Sequence, residues 1–177
     1  MGMAFGTLSG EFMRTKVVPE TDAVRFATYA TNAASAMKTT ETISSGAAAV
    51  AAIDLGTEKL DDAEVPYEGR ILFVNPTMYR YLKSGITRYT MNGENGIDYN
   101  VEMYDSMRVI TVPSGRFNTA VTLGQPTDHD GAGGYTATGS TINFMIVHPT
   151  AIMQAVKLAN PRIFSPDSTC PGLLWWY

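Results

Sequence analysis

An α+β fold is the prediction for this chain, and three observations carry it. Helical spacing recurs in the first part, at Ala23, Ala27, Ala30, Ala34 and Met37 and again at Ala49, Ile53 and Leu60. A strand, a tight turn and a helix then follow one another in GRILFVNPTMYRYLK, residues 69–83. Further on, MRVITV at 107–112 and INFMIV at 142–147 are short apolar runs stopped by Pro113 and by His148-Pro149, as strands are. With 177 residues and 45% hydrophobic content the chain is long enough for one sizeable core or two small ones.

The chain opens with small and apolar residues in no clear period over 1–18. Val17-Val18-Pro19 reads as the extended end of an arm, because proline disfavours a helical residue before it. Thr21, between Glu20 and Asp22, reads as the cap of a helix reaching Met37, with Phe26 beside its alanine stripe. Thr39 to Ser45 breaks the pattern. A second helix is expected from Ser44 or Ser45 to about Ala63; Gly56 inside it costs about 1 kcal/mol relative to alanine, so it either permits close packing or marks a bend. Val65-Pro66 ends that helix.

The strand-turn-helix unit has its ends specified locally. Arg70 to Val74 has the apolar run of a buried strand, Asn75 supplies a capping side chain, Pro76 suits a first helical position, and Gly85 reads as a left-handed stop. Its turn is too short to cradle a phosphate and has no glycine run or nucleophile, so the unit is scaffold. From Ile86 to Asp105 the chain is polar and glycine-rich, with Tyr89, Tyr99 and Tyr104, and reads as a hairpin or ordered loop. Gln125 to Ser140 carries Gly131, Gly133, Gly134 and Gly139 and reads as a surface loop. Ala151 to Phe164 suits a helix by one spacing and an edge strand by another, and strand is the reading adopted.

The formal charge of −4 argues against a surface built to neutralise nucleic-acid phosphates. The single cysteine, Cys170, excludes an internal disulfide and fits a reducing compartment. With only His129 and His148 beside it, no zinc site, no other metal site and no cofactor is expected. The first sixteen residues lack the basic and unbroken apolar segments of an export signal, and the longest apolar stretch, Gly46 to Leu55, is too short to span a membrane. A soluble chain is expected.

Asp128-His129-Asp130 sets three ligand types side by side, but adjacent loop side chains rarely converge on one ion, and a solvated loop tip is the ordinary outcome. The following GAGG lacks the preceding strand and the Lys-Ser/Thr of a nucleotide loop. His148, ending a strand before a proline, reads as a neutral imidazole bonded to backbone. Cys170 has no neighbouring histidine and no serine elbow exists, so catalysis is not expected. Asp54, Glu58, Asp61, Asp62 and Glu64 gather near a helix C-terminus, where the dipole disfavours them. Such a run is usually a solvated face; the alternative is pairing with basic residues of another subunit, for which Arg70, Arg80, Lys83 and Arg88 stand near in sequence.

Five blocks in order, KVVPETDAVRFATYA at 16–30, LDDAEVPYEGRILFVNPTMYRYLK at 60–83, MRVITVPSGRF at 107–117, INFMIVHPTAIMQAVK at 142–157 and RIFSPD at 162–167, resemble the major capsid protein of tailed bacteriophages and prophages with the Hong Kong 97 fold. The resemblance spans roughly Lys16 to Asp167. It implies a non-catalytic shell subunit that self-assembles as pentamers and hexamers around double-stranded DNA, without sequence-specific binding, and resides in the virion after synthesis in the bacterial cytoplasm. It implies a residual arm over 1–20, a spine helix over 21–43, a compact mixed α/β axial domain over 44–149, and a peripheral return strand with an irregular tail over 150–177. Asp61, Asp62, Glu64, Arg70, Arg80 and Arg88 would then be intersubunit contacts. The family carries an amino-terminal arm and a long hairpin loop before its spine helix, where only some twenty residues stand here, so a truncated piece is expected; the tail STCPGLLWWY also departs from the family pattern. Two other readings stand beside this one: a nanocompartment shell of the same fold enclosing a cargo protein, and a small α/β enzyme or ligand- or metal-binding domain using the 128–130 loop.

Overall fold

The computed structural model describes residues 2–86, 101–124 and 134–153, with side chains from Gly6 onward. Its architecture is mixed α and β. The first helical stretch is longer than the sequence led us to expect. Helix α1 (Gly2–Phe12) passes through a π-helical turn (Met13–Val17) into α2 (Val18–Asn32) without interruption, so Val17 and Val18 are helical rather than extended.

Pro19 explains the wide turn. A proline inside a helix has no N–H to donate, and its ring crowds the carbonyl four residues back. Here the chain widens just before it, with the Val18 N–H donating to the Met13 carbonyl five residues earlier. Thr21 therefore lies inside the helix and is no cap; its hydroxyl donates to the Val17 carbonyl at 2.7 Å. The helix also stops earlier than expected: Ala33 leaves helical geometry, Lys38 Nζ donates to the Thr31 carbonyl at 3.0 Å, and Ala34 and Met37 are exposed.

Helix α3 (Gly46–Asp62) starts on Ser45, whose hydroxyl accepts from the Ala48 N–H, and buries Ala49, Ala52, Ile53 and Thr57. Strand β1 (Ile71–Val74) and helix α4 (Pro76–Gly85) follow. Asn75 caps α4 as its sequence predicts, accepting from the Met78 N–H at 2.6 Å, while its Nδ2 donates to the Ile142 carbonyl at 2.9 Å. Gly85 is no left-handed stop. It is the last helical residue, and an added Cβ there would lie 2.4 Å from the Gly46 carbonyl oxygen, so the glycine serves the close crossing of α4 on the start of α3.

Strands β2 (Met103–Tyr104), β3 (Met107–Thr111) and β6 (Phe144–Val147) join β1 in a sheet of order β2-β3-β1-β6. The β1–β3 pair is parallel, with α4 inside the connection, and β1–β6 is antiparallel. Strands β4 (Val121–Leu123) and β5 (Tyr135–Ala137) form a separate antiparallel ribbon. The expected loop over 125–140 is thus strand from Tyr135 to Ala137.

Alternation along β1 sorts the core into two layers. Leu72 and Val74 face α3 and α4, meeting Ala49, Ile53, Met78, Leu82 and Met107. On the opposite face Phe73 meets Phe26 of α2, whose ring is also edge-on to Phe117 at 5.0 Å. The sheet is therefore covered on both faces. Gly56 belongs to this packing: a Cβ there would come within 3.2 Å of Phe144 and Ile146.

Candidate functional site

Helix α3 ends in a backbone motif that turns the chain toward β1. The Val65 N–H donates to the Leu60 carbonyl at 3.0 Å and the Glu64 N–H to that of Asp61 at 2.9 Å, with Glu64 in the left-handed region at φ 56°. This turns Val65 and Pro66 over Arg70. The Arg70 guanidinium donates to the Val65 carbonyl at 2.6 Å, to the Pro66 carbonyl at 3.0 Å and to the Asp61 carboxylate at 2.7 Å, with the residue 2% exposed. Arg70 is thus interior to its own chain, and Asp61, half exposed, is engaged within that chain.

Carbonyl oxygens supply much of what a desolvated guanidinium needs, so Arg70 fixes the α3–β1 connection through two backbone groups and one charge. Asp62 and Glu64 remain on the solvent face. Of the basic candidates, exposed Arg80 lies over the Tyr81 ring at 5.0 Å and Lys83 over Tyr79 at 4.5 Å. Arg88 and the Asp128-His129-Asp130 loop lie outside the described residues, as does nearly all of the Ala151 to Phe164 segment.

Two tyrosines tie the same end of the molecule together. Tyr104 donates to Asp54 at 2.6 Å, and Tyr67 donates to the carboxylate of Asp105. Burial, then the hydrogen bond to Asp54, pushes the Tyr104 phenol well above its ordinary range; the bond to Asp105 raises that of Tyr67. His148 bonds to backbone, as its sequence position predicts. Its Nε2 donates to the Glu68 carbonyl at 3.0 Å, and Nδ1 accepts from the Thr150 N–H at 3.3 Å. Among the described residues no three His, Cys, Asp or Glu side chains stand where they could share a metal ion, and no helix is long and apolar enough to cross a membrane.

Two apolar surfaces stand out that the sequence reading passed over. The first is the amino-terminal helix, where Leu8 and Phe12 lie one turn apart and are 66% and 58% exposed, with Met13 and Val18 also exposed. Their signal was the spacing Phe5, Leu8, Phe12, masked by glycines at 2, 6 and 10 and by Pro19.

The second is a groove of about 430 Å³ between the 33–43 segment, α3 and β6, whose apolar lining includes Met37, Ile43, Leu55, Leu60, Phe144 and Ile146. Lys59 Nζ, donating to the Ala36 carbonyl at 3.0 Å, and Asn143 Nδ2, donating to the Glu41 carbonyl at 3.3 Å, hold its wall in place. Nothing in the sequence marks this groove, because its two sides come from segments a hundred residues apart. Compared with known protein families, with curated proteins and with solved structures, the chain finds no match.

Proposed function

We propose that this chain is a non-catalytic structural subunit of an icosahedral phage head, a major capsid protein of the Hong Kong 97 type that self-assembles and encloses double-stranded DNA. The observation that carries the reading is the exposed apolar face of the amino-terminal helix. Full burial of such a side chain supplies roughly 1.5–3 kcal/mol, and Leu8 and Phe12, one turn apart and more than half exposed, leave most of it unused and mark a surface made to be covered.

Other features support the same reading. The five sequence blocks fall in the family's order, the chain is mixed α and β, and the net charge of −4 suits a subunit that encloses DNA without gripping it. The exposed Asp62, Glu64 and Arg80 supply charges of both signs for contacts between copies.

Light scattering of the purified chain across a concentration series, with negative-stain images of the same samples, tests the proposal. Rings of five or six copies, or closed shells, are expected. A monomer at every concentration would overturn it.

A further inference from the structure

We propose that the Leu8–Phe12 face of one copy inserts into the groove between the 33–43 segment, α3 and β6 of the next copy, making a directional, head-to-tail contact. The inference rests on the self-assembly reading above and names the contact that would carry it. Among the described residues both surfaces are apolar and open in the same chain. They cannot meet within one molecule: Phe12 and Ala33, which lines the groove, are separated by continuous helix that holds them about 30 Å apart. The helix is anchored over its second half, where Pro19, Ala23, Phe26 and Ala27 are buried, so it does not swing back.

The dimensions agree. Two side chains at i and i+4 project from one helix face about 6 Å apart. The groove volume is in the range that accepts a compact apolar group and falls short of a whole helix, so Leu8 and Phe12 enter as knobs while the backbone lies across the rim. Charges at the edges are compatible. Glu11 and Arg14 flank the knobs as an ion pair at 2.7 Å, and Lys38, Lys59 and Glu41 stand at the groove with both lysines donating to carbonyls of their own chain, so each edge carries both signs and neither repels the other.

A contact between two different patches of the same chain repeats from copy to copy and closes into a ring when the rotation allows. That separates it from pairing of two amino-terminal helices with each other, which would stop at a dimer. The test uses Phe12→Asp, which spoils the knob, and Met37→Glu, which spoils the groove. Both residues are exposed, so each variant should keep the wild-type melting temperature.

Sedimentation velocity of wild type, each variant and an equimolar mixture of the two then decides. Expected are assembled wild type, two monomeric variants, and a one-to-one pair in the mixture, where one intact groove meets one intact knob. Met37→Glu assembling like wild type would overturn the contact while leaving the shell reading in place, and would point to helix–helix pairing. Wild type monomeric throughout would overturn both.

Discussion

Glu64 holds a left-handed backbone conformation, φ 56°, at the point where α3 must turn toward β1, and a side chain at that position costs what glycine would not. Its carboxylate makes no contact that offsets this among the described residues, so Glu64→Gly should raise stability by up to about 1 kcal/mol, read as a shift of the urea midpoint. An unchanged or lower midpoint would mean that the charge itself holds the turn. Tyr104 gives a different residue-scale test. Its folded pKa is raised above the unfolded value of about 10, so its contribution is fully present below pH 10 and is lost as pH rises toward the folded pKa. Tyr104→Phe loses the bond to Asp54 but also loses this titration. Wild type should therefore exceed the variant in stability at pH 8, and the gap should narrow above pH 10; a constant gap would contradict the raised phenol.

At the scale of elements, local chemistry made β1, α3 and α4 legible: Asn75-Pro76 and Ser45 are caps whose side chains bond where caps should. The long first helix was not legible, because Pro19 is read as a stop unless one knows that a π turn absorbs it. Gly85 was seen but given the wrong task, since a glycine ending a helix by φ and one needed for a close crossing look alike in sequence. The crossing has its own test. Gly85→Ala places a methyl 2.4 Å from the Gly46 carbonyl oxygen, a backbone atom that cannot yield unless α3 and α4 separate. A net loss of about 1–3 kcal/mol is expected in spite of alanine's better helix propensity. Gly56→Ala meets only the Phe144 and Ile146 side chains, at 3.2 Å, which can shift by tenths of an ångström. Its propensity gain of about 1 kcal/mol should offset the crowding and leave the urea midpoint near wild type. Equal losses at the two sites would show that the α3–α4 crossing is not the tighter constraint.

For the whole molecule, what sequence could supply was the inventory of charged and apolar groups, and what it could not supply was which of them face outward. Arg70 illustrates the gap. Beside Asp61 and Glu64 in a polar stretch it reads as a surface cation, yet the turn through Glu64 folds two carbonyls over it and makes it interior. The groove is similarly invisible until β6 and the 33–43 segment come together. The amino-terminal helix is the converse case, apolar and outside. Leu8 and Phe12 in its first part are exposed, so on the proposed reading this part serves association rather than folding. Removal of residues 1–12 separates the two roles. The shortened chain should melt within about 2 °C of wild type, since the two core layers are untouched, and should sediment as a monomer where wild type assembles. A large drop in melting temperature would place the helix in the fold instead. Retained assembly would move the contact to the acidic and basic residues around Asp62 and Arg80, where added salt should then weaken it.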